Sequence, residues 1–173
     1  MMVVRRRPVS KCMKHALAFT LAAVLLVSTC VALAGKYFDK EDEKGIEHYS
    51  NALMAWYEVN QLSLPNSDDD IKRVVSLLSR VHAECAKVSD KTLKKIDGEL
   101  AKEFRNNLQE GARRYASGLN AYSEAVKNGA TPSEQAKSDM NSGQQKIVHF
   151  HRFYNANIER IVNFLKSKGV DIQ

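Results

Sequence analysis

The segment NGATPSE, residues 128–134, separates two long stretches in which apolar residues recur every three or four positions. That spacing places apolar side chains on one face of a helix. Asn128-Gly129 is typical of a helix C-terminus, where glycine takes the left-handed conformation. Thr131-Pro132-Ser133-Glu134 predicts the start of the next helix, with Thr131 as the N-cap, Pro132 in the first helical position and Glu134 reaching back to the cap. The segment therefore predicts a short connection between two helices.

The same spacing extends over the rest of the chain after residue 38, and no run alternates strictly between apolar and polar residues. Pro65 marks the end of a first helix, and Ser67 begins the second as its N-cap. Asp97-Gly98 separates a short turn over 91–96 from a third helix. The expected long helices cover about 39–61, 67–89, 99–127 and 131–168. Four amphipathic helices with short polar connections predict an all-α fold, an antiparallel up-down-up-down four-helix bundle.

The last two expected helices are longer than the first two, so we expect a bend or a protruding end in this half of the bundle. The stretch 133–145 is weakly apolar and contains Asn141-Ser142-Gly143. Glycine and serine are common where helices bend. We therefore expect fraying or a kink within 133–145.

Residues 1–34 have the composition of a secretory signal peptide. Five Lys and Arg and no acidic residue precede Ala16, and 16–34 contain no charged side chain. The run ends in Ala32-Leu33-Ala34, a small-x-small site. We expect export to the periplasm or the cell exterior, cleavage after Ala34, and a helical-bundle domain over 35–173. The alternative is an uncleaved anchor, since nineteen uncharged residues approach the ~20 that span a bilayer. A lipoprotein box ending at Cys30 and a twin-arginine signal fit less well.

Removing residues 1–34 changes what the composition implies. The formal net charge of the whole chain is +6, but residues 35–173 carry 21 Lys and Arg against 20 Asp and Glu, a net charge of +1. This balance argues against nucleic-acid binding, which requires a basic surface. Two of the three cysteines lie in the signal, so Cys85 has no partner for an internal disulfide. The domain must be stabilised by packing of its apolar core.

The best candidates for a metal site are His82, Cys85 and His151. His82 and Cys85 lie one helical turn apart, and His151 has a similar angular offset on the last helix, so the three side chains are able to meet inside a bundle. The simpler interpretation is a buried apolar cysteine with histidines at the edge of the core. Haem is the other candidate cofactor, although the sequence lacks the Cys-x-x-Cys-His motif of covalent haem attachment. A di-iron site is not expected, because no histidine lies three residues after a Glu.

Phe153 and Phe164 lie on one flank of the last helix, about 90–100° from its main apolar stripe. They either widen the buried face of that helix or form an exposed patch for a protein partner or a second copy. No glycine-bracketed serine or other catalytic arrangement is present. We predict an exported, non-catalytic binding or interaction protein that contacts a membrane only if the N-terminal segment stays uncleaved. The alternative is a metal- or haem-binding bundle that uses His82, Cys85 and His151.

Overall fold

The computed structural model describes residues 37–62 and 67–170. The predicted signal peptide, its cleavage site and the proline expected to end the first helix lie outside these ranges. Within them, all regular structure is helical, which confirms the all-α class. The elements are α1 (Lys40–Gln61), α2 (Asp68–Lys87), α3 (Asp90–Ile96), α4 (Gly98–Glu103), a π-helical segment (Phe104–Gln109), α5 (Glu110–Lys127) and α6 (Glu134–Ser167).

The starts of α1 and α2 follow from their capping residues. Asp39 accepts hydrogen bonds from the backbone N–H groups of Glu41 and Asp42, and the Asp42 carboxylate accepts one from the backbone N–H of Asp39. Ser67 and Asp70 form the same reciprocal pair at the start of α2, which confirms Ser67 as the predicted N-cap. Each arrangement satisfies backbone donors that a helix N-terminus leaves without intrahelical partners.

The connection between α5 and α6 agrees with the sequence at its start and differs at its end. Gly129 has φ of 66°, which confirms it as the left-handed residue after α5. The predicted N-cap Thr131 is wrong by two residues, because the hydroxyl of Ser133 accepts the hydrogen bond from the backbone N–H of Ala136 at 3.1 Å. Ser133 has an extended backbone, so α6 begins only after it. Pro132 therefore precedes the helix.

The long helices pack side by side around one core. The most extensive contacts join α5 to α6, and further contacts join α1 to α2 and α2 to α5. Trp56 of α1 meets Phe150 of α6 edge-on, with 5.5 Å between the ring centroids. None of the described helices is long and apolar enough to cross a membrane. The largest fully buried side chains are Trp56, Tyr49, Phe38, Phe104, Phe150, Ile46, Leu78, Leu93, Leu100, Leu108, Leu165 and Val81.

Glycines set the distance between α5 and α6. A Cβ atom on Gly143 would lie 2.7 Å from Cα of Tyr115, and one on Gly118 would lie 2.7 Å from the carbonyl oxygen of Ala136. These distances are far below ordinary van der Waals contact, so the two backbones touch only because side chains are missing. Of the fraying or kink expected within 133–145, the fraying is wrong: α6 runs without a break from Glu134, and Gly143 is buried against the neighbouring helix.

Candidate functional site

The structure places His82 and Cys85 on the buried side of α2. Nδ1 of His82 lies 3.3 Å from the carbonyl oxygen of Gln109, at the end of the π-helical segment. Cys85 is fully buried and free, and burial raises the pKa of its thiol because the thiolate is poorly solvated there. A buried neutral thiol is a poor nucleophile. Cys85 therefore acts as a small apolar core residue.

His151 has different neighbours. Its Nε2 lies 2.9 Å from Nδ2 of Asn155, and its ring packs against Trp56 with 5.4 Å between centroids. The structure thus does not assemble His82, Cys85 and His151 into one site. Among residues 37–62 and 67–170, no three His, Cys, Asp or Glu side chains form a group able to hold a metal ion. Angular positions along two helices do not specify how those helices are rotated and shifted against each other.

Phe153 and Phe164, the predicted partner-binding residues, are half-buried and pack against the core. The ring of Phe164 lies 5.8 Å from that of Tyr37, and Nζ of Lys168 lies 5.5 Å from its centroid. These contacts favour the first interpretation of the two phenylalanines, a wider buried face of α6. Among the described residues, the exposed large apolar side chains are Tyr37, which contacts Phe164, and Val126 and Val148.

A cluster of aromatic rings fills the core where α1 and α6 face each other. Trp56 meets the rings of Phe150, His151 and Tyr154 at centroid distances of 5.4 to 6.0 Å. Edge-to-face contacts of this kind are favourable beyond the apolar area they bury. The members of this cluster are Tyr49, Trp56, Phe104, Phe150, His151 and Tyr154.

The aromatic cluster contains polar atoms that have no hydrogen-bond partner among the described residues. These atoms are Oη of Tyr49, Nε1 of Trp56 and Nδ1 of His151. Burial raises the pKa of Tyr154 to about 12, and it raises the pKa of Tyr49 well above its ordinary value. The neighbouring Tyr154 side chain also raises the pKa of Tyr49. Burial lowers the pKa of His151 because it disfavours the imidazolium ion. The two tyrosine hydroxyls and the imidazole of His151 are therefore neutral near pH 7.

Arg105, in the π-helical segment, closes the C-terminus of α2. Its guanidinium donates to the carbonyl oxygens of Cys85 and Val88 and to Oε1 of Gln109, and its Nε lies 2.7 Å from the Asp90 carboxylate. The last carbonyls of a helix lack intrahelical donors and carry a partial negative charge, so a cation is favoured there. π-Helical insertions often occur at functional sites, but here the segment presents a side chain that joins two helices.

Asp42 links α1 to α3 in the interior. Its side chain is 1% exposed and accepts hydrogen bonds from the Thr92 hydroxyl at 2.9 Å, from Nζ of Lys95 and from the backbone N–H of Asp39. Burial alone would raise the pKa of Asp42, but the hydrogen bonds from Lys95, Asp39 and Thr92 outweigh it and lower the pKa. The carboxylate is therefore ionised and fully paired, which is the arrangement of a structural ion pair.

The exposed side of α6 carries a shallow depression that combines apolar and polar groups. Val148, one of its lining residues, is 42% exposed. His149 is oriented by Glu103, whose Oε2 lies 3.3 Å from the imidazole Nε2. In the described part of the chain, no carboxylate pairs with Arg152. The depression is lined by Gln144, Gln145, Val148, His149 and Arg152.

Comparisons with known proteins found no relative of this chain. No family model matches it, and searches of curated proteins and of solved structures returned no significant match.

Sequence reasoning missed several residues that the structure makes prominent. Asp42 had a local signal, since an acidic residue three positions after Asp39 fits a reciprocal helix cap. Arg105 had none, because the carbonyls it binds lie up to twenty residues earlier in the chain. Val148 lies within the apolar periodicity of α6 and is distinguished from core residues only by its exposure.

Proposed function

We propose that this chain is an exported, non-catalytic interaction protein with the architecture of an antiparallel four-helix bundle, and that a protein partner binds the exposed side of α6. The observation that carries the proposal is the depression around Val148, where an exposed apolar side chain adjoins the guanidinium of Arg152, which pairs with no carboxylate among residues 37–62 and 67–170. The proposal concerns a surface, because the buried ionisable groups of the core are paired or held neutral.

The helix contacts support the bundle. α1 contacts α2, α2 contacts α5, and α5 contacts α6. The ring of Trp56 on α1 contacts the ring of Phe150 on α6. These contacts support a closed arrangement of four helices around one core. The connection between α5 and α6 spans only residues 128–133, and short connections favour antiparallel neighbours.

The chemistry of the depression indicates the kind of partner. Arginine is enriched at protein interfaces because its guanidinium binds carboxylates through two parallel hydrogen bonds. Gln144 and Gln145 add amide groups that both donate and accept. Val148 adds a small apolar contact to the same depression. A polypeptide segment that carries a carboxylate next to a small apolar side chain matches this set, and we propose such an acidic segment as the partner's contribution.

The composition of residues 1–34 supports export. Their basic start, uncharged run and small-x-small ending are the features of a signal peptide, and the remaining residues carry almost no net charge. Intact mass of the protein recovered from the exported fraction tests this part of the proposal. We expect a chain that begins at Gly35. A chain that retains residues 1–34 and stays with the membrane fraction would contradict it.

Photo-crosslinking in living cells tests the proposed surface. A photoreactive amino acid replaces Val148, and the same amino acid at the exposed Ser79 on α2 serves as the matched control. We expect one dominant adduct from position 148 that is absent from position 79 and is reduced at least tenfold by Arg152→Glu. Mass spectrometry should locate the crosslink in an acidic segment of the partner. Equal labelling at both positions, or an adduct unaffected by Arg152→Glu, would refute the proposed surface.

A further inference from the structure

Two hydrogen-bond donors in the aromatic cluster point to a binding site that is separate from the surface of α6. Indole Nε1 of Trp56 is only a donor, the residue is 2% exposed, and no acceptor in the described part of the chain reaches it. Nδ1 of His151 is also shielded from solvent and has no partner within residues 37–62 and 67–170. Buried polar groups in native proteins are nearly always hydrogen-bonded, to protein or to a bound molecule.

The hydrogen bond on the other side of His151 determines which nitrogen carries the proton. Nδ2 of Asn155 is a donor and lies 2.9 Å from Nε2 of His151, so Nε2 accepts that hydrogen bond. In a neutral imidazole the single proton is then on Nδ1. Nδ1 is therefore a second donor without an acceptor.

The two donors belong to rings that contact each other. The ring centroids of Trp56 and His151 are 5.4 Å apart, with an angle of 62° between the ring planes. Phe150 and Tyr154 pack against the same indole and exclude bulk solvent from it. Within the described residues, the protein thus supplies two neighbouring N–H groups and no acceptor for either.

We propose that Trp56 and His151 form an internal binding site for one acceptor oxygen, held by the indole Nε1–H and the imidazole Nδ1–H. A single long-lived water molecule and the carboxylate of a small acid such as acetate both present this chemistry. The half-buried His151 gives such a molecule a short path from solvent. The site lies in the core and does not depend on the partner-binding surface proposed above.

Nuclear magnetic resonance of the full-length 15N-labelled protein tests the site directly. Trp56 is the single tryptophan of the chain, so its indole N–H gives one assigned resonance. If water occupies the site, this N–H shows a cross-relaxation peak to a long-lived water. If a carboxylate binds there, acetate titration shifts the resonance saturably and removes the water peak. Either result supports the proposal and identifies the source of the oxygen.

Matched variants separate the site from general effects on folding. His151→Phe keeps an aromatic ring against Trp56 but removes Nδ1, and we expect loss of the water peak and of the acetate-induced shift. His149→Phe makes the same change two residues earlier on the exposed side of α6, and we expect both signals to remain. A wild-type indole N–H that exchanges rapidly with bulk solvent and responds to neither water nor acetate would overturn the proposal without recourse to any variant.

Discussion

Replacing Gly143 by alanine tests whether backbone contact between α5 and α6 stabilises the fold. The added Cβ would lie 2.7 Å from Cα of Tyr115 and 2.8 Å from the carbonyl oxygen of Gly111. Ordinary carbon contacts need about 3.5 Å, so the helices must separate by roughly 1 Å. Both neighbouring atoms are backbone atoms, which have no rotamer that relieves the clash.

The free energy of unfolding combines two opposing effects of this substitution. Alanine in a helix interior is favoured over glycine by about 1 kcal/mol. Overpacking of a close helix contact costs about 1–3 kcal/mol, and the upper end applies where only backbone can move. We expect Gly143→Ala to lower the free energy of unfolding by about 2 kcal/mol, which corresponds to a fall of roughly 6–8 °C in Tm for a domain of this size.

Thermal unfolding followed by far-ultraviolet circular dichroism, together with urea unfolding, measures the change. Gly98→Ala is the matched control, because a Cβ on Gly98 meets no atom within 4 Å. We expect that control to be as stable as the wild type or more stable by up to about 1 kcal/mol. If Gly143→Ala is as stable as Gly98→Ala, the close approach of α5 and α6 is wrong.

Three further predictions concern charge and burial. Arg105→Met should lower the free energy of unfolding measured in urea by about 2–3 kcal/mol, because the carbonyls of Cys85 and Val88 lose a charged donor. The control Arg73→Met, on the exposed side of α2, should change this free energy by less than about 0.5 kcal/mol. Cys85 should resist a thiol reagent at pH 8 in the folded protein and react fully in denaturant, since burial raises its pKa; rapid labelling of the folded protein would contradict its burial. Burial lowers the pKa of His151 in the folded protein. As the pH falls below the ordinary value of 6.5, the unfolded chain therefore takes up a proton at His151 before the folded protein does, and the folded state becomes less stable relative to the unfolded state. Above pH 6.5 His151 causes no such loss of stability. Urea midpoints at pH 7.5 and 5.5 should therefore differ more in the wild type than in His151→Phe, and an equal difference in both would refute this role.

Local features of the fold were predictable from the sequence, and the errors have local causes as well. Ser67 and Gly129 were identified correctly because capping depends on residues within one turn of the helix end. The start of α6 was misplaced because Thr131 and Ser133 both suit an N-cap, and only the backbone conformation selects between them. The π-helical segment 104–109 carries no signal in the apolar periodicity, which continues through it.

The candidate sites were less predictable because they depend on pairs of residues far apart in the chain. His82, Cys85 and His151 each occupy a position consistent with the core, but the rotation of α2 relative to α6 gives them separate neighbours. Phe153 had two interpretations, and the half-buried position that favours one of them is a property of the packed helices.

The sequence alone predicts an all-helical fold and most helix ends, because each depends on composition or on residues within one helical turn. The tertiary structure adds the contact of Gly143 with α5, the hydrogen bonds of Arg105 to the end of α2, and the two unpartnered donors of Trp56 and His151. The physical reason is the same in each case. Hydrogen bonding and capping act over a few residues, whereas the rotation, shift and spacing of packed helices result from the shape of the whole core.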